Sequence, residues 1–255
     1  MEVAKNAAAL AVMALACGLA QADTGKLLLT GGVSSIDGAA GGGLTPWAVI
    51  GSNATDGEIG ASAHISRAST QDYGLTTYGA ALGFRNRFEL SVARQDFNAS
   101  PAIALNGIAP FGVTPGQHIQ MDIVGVKMRI SGDAVLDSDT WMPQVAAGIE
   151  FKHATPGSIQ SVYKFLGARR SGTDLYVSAT KLFLAQGVLV SGTLRYTKAN
   201  QSGLLGFGSA APGRNSYSLQ PELSVAYLLR KDLAMGMEYR FKPNNLESLG
   251  RAAGL

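Results

Sequence analysis

SYSLQPELSVAYLLRKDLAMGMEYRFK, Ser216 to Lys242, decides the fold, because two successive segments within it alternate strictly and turn on a polar corner. Tyr217, Leu219, Pro221, Leu223, Val225 and Tyr227 point one way and Ser216, Ser218, Gln220, Glu222, Ser224 and Ala226 the other. After Arg230-Lys231-Asp232 the pattern resumes, with Leu233, Met235, Met237, Tyr239 and Phe241 opposite Ala234, Gly236, Glu238, Arg240 and Lys242. Period two over this length means β-strand. One face is apolar and ends in aromatics, and the other is small or charged. That division suits an all-β, antiparallel transmembrane β-barrel with lipid outside and a polar lumen inside.

Working outward, the N-terminus carries Lys5, an apolar run from Ala7 to Leu19 and the A-x-A site Ala20-Gln21-Ala22. This reads as a secretory signal peptide over 1–22, with the barrel domain over 23–255. A membrane-spanning helix needs about 18 or more apolar residues, and Cys17, Gly18 and Gln21 interrupt the run too early. Cys17 is the one cysteine and falls in the leader, which leaves no disulfide or thiol chemistry beyond it. Charged residues make up 15% of the chain, against about 25% in soluble domains. A soluble all-β protein must coat its outside with charge, and this chain does not. The net charge of +3 lacks a clustered basic patch, so nucleic acid is not a partner.

Eleven strands are expected: Lys26–Ser34, Leu44–Gly51, Glu58–Arg67, Gly74–Phe84, Phe88–Phe97, Gln117–Ile130, Trp141–Lys152, Asp174–Leu184, Val188–Lys198, Ser216–Leu229 and Leu233–Lys242. Most approach the about 9–11 residues of a tilted membrane strand. Leu44–Gly51 carries Pro46 and is retained for loop parity. In Gln117–Ile130 the apolar phase switches near Gly125, where a bulge is expected. Pro143 and Pro221 each cost a ladder hydrogen bond. Short connections at Arg85-Asn86-Arg87, Ala185-Gln186-Gly187 and Arg230-Lys231-Asp232 alternate with long ones at 98–116, 153–173 and 199–215, the pattern of short periplasmic turns and long external loops. The eleventh strand then runs outward, and an even barrel of 12 or more strands calls for closing strands beyond Leu255. The alternative is that one of the eleven is wrong and ten strands close.

Gly31-Gly32-Val33, Gly41-Gly42-Gly43-Leu44-Thr45-Pro46-Trp47, the run Ala179 to Gln186, Thr197 to Gln201 and Gly203 to Gly208 together resemble a proteobacterial family catalogued only as a domain of unknown function. The resemblance covers nearly the whole chain after the leader. It implies a secreted, barrel-like product whose relatives continue past the point where this chain ends, and it brings no catalytic residues.

Candidate chemistry is sparse. The glycines between Gly31 and Gly43 invite a phosphate-loop reading, but no Gly-Lys-Ser/Thr follows, so an external loop is expected. Ser62, His64 and Ser66 share a strand face, yet next-but-one residues lie about 7 Å apart, and no carboxylate orients His64. No catalytic, cofactor or metal residues are assigned. Glu89, Glu150, Arg195, Glu222, Glu238 and Arg240 are candidate lumen-lining residues. Ile159, Val162, Tyr163 and Leu166 follow an i, i+3, i+4, i+7 pattern, an amphipathic helix suited to cap the barrel mouth. Apolar clusters at Ile103, Leu105, Ile108 and Phe111, and at Leu204, Leu205 and Phe207, join them in other loops.

These features point to an outer-membrane barrel, structural or a small diffusion channel for hydrophilic solutes. Three alternatives stand beside it: uptake of apolar solutes, a membrane-embedded lipid-modifying enzyme using Ser62 and His64, and a soluble periplasmic barrel with the apolar face inside. The expected surroundings are membrane lipid and lipopolysaccharide, with the outer-membrane assembly machinery as folding partner and no cofactor. No motif encodes a cargo.

Overall fold

A computed structural model describes residues 33–52, 54–70, 73–98, 118–133, 140–210, 215–230, 233–243 and 245. Nine strands form one antiparallel sheet in sequence order: β3 (Ile59–Ser69), β4 (Gly74–Phe84), β5 (Phe88–Asn98), β6 (His118–Ser131), β7 (Gln144–Thr155), β8 (Ser171–Phe183), β9 (Val188–Thr197), β10 (Ser218–Arg230) and β11 (Leu233–Arg240). Each pairs with its neighbour as a hairpin or meander, and the sheet curls into a half-barrel whose edges, β3 and β11, are not paired with each other among the described residues. A two-residue ladder, β1 (Val33–Ser34) with β2 (Ala40–Gly41), lies apart from this sheet. One short helix, α1 (Gln160–Leu166), sits in the connection between β7 and β8. No helix among the described residues is long and apolar enough to cross a membrane.

The side-chain faces divide as the alternation requires. Leu219, Leu223, Val225 and Tyr227 on β10 are exposed, whereas Glu222 and Ser224 between them are buried. The same inversion recurs on β5, where Phe88, Leu90 and Val92 face out and Glu89 and Ser91 face in, and on β9, where Val190 and Leu194 flank buried Ser191, Thr193 and Arg195. A soluble sheet would bury the other set.

One expected strand is corrected, and another lies mostly outside the described residues. Leu44–Gly51 is not a strand: it is an irregular segment running inside the curl, with one isolated bridge from Pro46 back to Gly41. A strand there would need a neighbour for its ladder, and Pro46 lacks the N–H to supply one. Of Lys26–Ser34, residues 26–32 lie outside the described set, and Val33–Ser34 pairs only with β2. The nine strands of the main sheet keep the alternation of connections on their own. At one end lie the connections 85–87, 132–143, 184–187 and 231–232, and at the other 70–73, 99–117, 156–170 and 198–217. The β4–β5 turn takes positive φ at Arg85 and Asn86 (49° and 48°), the hairpin geometry whose twist matches the strands it joins.

The bulge expected at Gly125 is absent. Pairing runs unbroken from Phe88↔Met128 through Ser91↔Gly125 to Asn98↔His118, and the shift falls instead between Arg129 and Ser131, against β7. The change of phase at Gly125 is one of environment. Below it β6 turns Lys127 inward and Val126 and Met128 outward; above it buried Ile119, Met121 and Ile123 face in. Outside, at that height, Arg94 pairs with Asp122 at 2.5 Å and Asp96 with His118, forming a polar collar above the apolar belt. Pro143 lies just before β7, and Pro221 sits where the β11 ladder begins, its carbonyl accepting from Phe241 N–H.

Candidate functional site: the lumen and its inner segment

The concave face is occupied by residues 33–52, and lumen side chains supply this segment with the hydrogen bonds that an irregular backbone cannot make for itself. Glu89 accepts from Ala40 N–H at 3.0 Å and Gly51 N–H at 2.6 Å. Lys127 Nζ donates to the carbonyls of Ala40 and Trp47 and pairs with Glu89 at 3.1 Å. Gln144 donates to Ala48 O at 2.7 Å, Thr180 accepts from Ala48 N–H at 2.8 Å, and Ser178 and Thr193 both donate to Pro46 O. Glu238 accepts from Leu44 N–H and the Thr45 hydroxyl, and Trp47 Nε1 donates to Ser224. The approach is close enough to require glycine: a Cβ on Gly83 of β4 would lie 2.4 Å from the Gly51 carbonyl oxygen.

Toward the long-connection end, Asp37 at the tip of the β1–β2 turn enters a charged network. Its carboxylate is 2.9 Å from Arg240 Nη1 and 3.4 Å from Lys152 Nζ, and accepts from Gln95 at 3.0 Å. Lys152 also meets Asp174 at 2.9 Å and Glu150 at 3.1 Å, while Arg195 bridges Glu150 at 2.6 Å and Glu222 at 2.5 Å. Four carboxylates thus face three cations, and the neutral donors Gln95 and Thr197 help to satisfy the surplus acceptor. The space left between Lys152, Asp174, Arg195 and Arg240 measures about 10 Å³, room for about one water. Tyr176 stacks over the Arg195 guanidinium at 5.3 Å and covers Gly148, where a Cβ would lie 2.2 Å from the ring.

All six candidate lumen residues therefore face inward: Glu89, Glu150, Arg195, Glu222 and Arg240 are buried and Glu238 half-buried. They do not form one group. Glu89 serves Lys127 and the inner segment, Glu238 holds Leu44 and Thr45, and the other four join the Asp37 network. Sequence reasoning missed Asp37, Lys127, Lys152 and Asp174. Lys127 and Lys152 sit on the polar phase of their strands, which was a usable signal, but Asp37 lies in a glycine-rich stretch with no periodicity to place it.

The predicted cap residues gather at the long-connection end. Ile159 and Tyr163 are buried and Val162 half-buried, packed with Ile119, Ala154, Phe97, Leu204 and Leu205, and Leu166 is buried as well. Phe207 is fully buried and pairs by backbone with Arg169. Burial pushes the Tyr163 phenol up, so it stays protonated and donates to Leu204 O at 2.7 Å. Residues 103–111 lie outside the described set.

The three histidines are scattered. His64 faces inward, its ring lying over Gly79, and neither ring nitrogen has a partner among the described residues. His118 pairs with Asp96 and His153 with Ser171 at 2.7 Å, both on the outer collar. No cluster of three or more metal-ligating side chains occurs among the described residues.

A family model described as "Protein of unknown function (DUF3034)" matches residues 30–253. No curated protein and no solved structure matches the chain.

Proposed function

The chain belongs to the DUF3034 family, and since that membership carries no activity, we propose from the geometry that it is an outer-membrane β-barrel whose polar lumen is closed by its own residues 33–52 and admits small hydrophilic solutes when that segment shifts. The observation that carries the reading is the inversion of polarity: Ile65 is 78% exposed, Met237 83% and Trp141 88%, while Lys127, Glu150 and Arg195 are buried. In water an apolar surface this continuous is an aggregation hazard; in lipid it is the required solvent-facing surface. Export through a signal peptide over 1–22, contact with lipid and lipopolysaccharide, and folding by the outer-membrane assembly machinery belong to the same proposal.

The channel part rests on the chemistry of the wall. Remove the inner segment and the lumen presents Glu89, Lys127, Glu150, Lys152, Asp174 and Arg195, a hydrated and nearly balanced lining suited to small polar solutes rather than to one sign of ion. The test is planar-bilayer recording of the full chain beside a variant with residues 35–50 replaced by a short Gly-Ser linker. The full chain is expected to show little steady conductance and the variant a stable, larger one. If both stay silent while remaining in carbonate-washed outer membranes, the channel reading fails and a structural barrel remains. Recovery as a soluble periplasmic monomer defeats the membrane reading itself. A lipid-modifying role is not favoured, because among the described residues no carboxylate orients His64.

A further inference from the structure

Below the charged network the lumen changes character. Toward the short-connection end, Trp47, Leu182, Leu189, Ala226 and Leu228 cluster against the inner segment and border a cavity of about 570 Å³. We infer that this cavity is a binding site for a single hydrocarbon chain, supplied either by a lipid tail or by an apolar solute. The inference rests on the membrane-embedded reading above and specifies a ligand class for it.

Three observations carry it. The volume falls in the range of about 300–1,000 Å³ typical of small-molecule sites. The cavity's polar residues are already engaged: Glu238 accepts from Leu44 N–H, Thr45 and Ser224, and Ser224 also accepts from Trp47 Nε1. No polar side chain bordering the cavity is left free for a headgroup among the described residues, and a carboxylate would meet Glu238, so the site favours an apolar chain. Finally, Val225, Met235 and Met237 of the outer apolar face also line the cavity, so it is continuous with that face across the edge of β11, which pairs only with β10 among the described residues. A chain dissolved in the bilayer can slide in sideways without crossing the charged network. Apolar cavities of this size take up apolar ligands readily.

The chain's two tryptophans separate this proposal from the one it rests on, since Trp47 borders the cavity while Trp141 is exposed on the outer wall near the short connections. The full chain is reconstituted in phosphatidylcholine vesicles as two single-tryptophan variants, W141F and W47F, with 1-bromododecane and brominated phosphatidylcholine as quenchers. In W141F, 1-bromododecane is expected to quench Trp47 saturably, and the cavity-filling A234F to weaken that apparent affinity by about tenfold or more; A226L is the second filling variant should A234F misfold. Saturable quenching by the brominated lipid as well identifies a lipid tail as a natural source; quenching by bromododecane alone identifies a free solute. Absence of quenching by either, or quenching that rises without saturation and ignores both filling variants, overturns the site. Quenching that becomes saturable only after Leu27, Leu28 and Leu29 are changed to serine also overturns it, by showing that the chain's own leading segment fills the cavity. In W47F, failure of brominated lipid to quench Trp141 overturns the membrane reading, whatever Trp47 does.

Discussion

Glu89 shows at the residue scale what holds the inner segment. Its two oxygens accept Ala40 and Gly51 N–H groups and neutralise Lys127, all with the side chain fully buried. Removing one partner of such a pair leaves an uncompensated charge in a low-dielectric site and two backbone donors unsatisfied, so Glu89→Ala is expected to destabilise the protein by about 3–5 kcal/mol. Adding Lys127→Met to Glu89→Ala should restore much of the loss, because the stranded ammonium goes with it. Urea unfolding in detergent micelles reads both; equal stability of single and double variants would show that Lys127 is charged and satisfied without Glu89. A second carboxylate tests pH. Glu58, just before β3, accepts the Thr55 backbone N–H at 2.8 Å and the Thr55 hydroxyl at 2.9 Å, which together hold its carboxyl below the usual range. A depressed folded value means that the turn's stabilisation is fully present above the ordinary Glu value and is lost as pH falls through the depressed one. Carbon-detected titration of Glu58 should therefore show a low midpoint that Thr55→Ala moves only part way back, since the backbone bond remains.

At the scale of elements, α1 has seven residues, too few to persist alone. It ends at Gly167, whose φ of +62° lets its N–H return to Lys164 O. Packing against Phe97, Ile119 and Leu204 is therefore what makes it a helix. Tyr163→Phe keeps that packing and deletes only the bond to Leu204 O, for an expected loss of about 1 kcal/mol, read as a lowered thermal midpoint; no change at all would place the phenol in contact with water instead. β6 makes a related point. Its apolar phase reverses at Gly125 because the strand leaves one environment for another, and alternation reports the solvent on each side rather than the backbone. A bulge was the natural reading of the sequence there, and the unbroken register with β5 shows why it was wrong.

For the whole molecule, the inner segment is the component with the most distant bonds: Arg240 reaches Asp37 and Ser224 reaches Thr45 across nearly the full chain. An irregular segment tied to seven strands at once cannot leave piecemeal, so amide exchange at Ala40, Ala48 and Gly51 is expected to be as slow as in the central strands. Measurement by native-state hydrogen exchange in micelles checks this. Fast exchange at these three amides beside a protected sheet would mean the segment opens locally, and the closed lumen with it.

The sequence by itself marked eleven strands, nine of which form the sheet, together with the division of each into two faces, because in a sheet one local variable, the period of two, carries both. It likewise placed Glu150, Arg195, Glu222 and Arg240 on the polar phase of their strands, the phase that faces a lumen if the apolar one faces lipid. Leu44–Gly51, expected as a strand for the sake of loop parity, is not one, because nothing beside it can supply the ladder that a strand needs. Only the tertiary structure decided that residues 33–52 fill the lumen, that Asp37 completes the charged network and that an apolar cavity lies beneath it. Those outcomes depend on contacts between positions far apart in sequence, where an aperiodic glycine-rich stretch takes its conformation from the side chains that surround it rather than from its own residues.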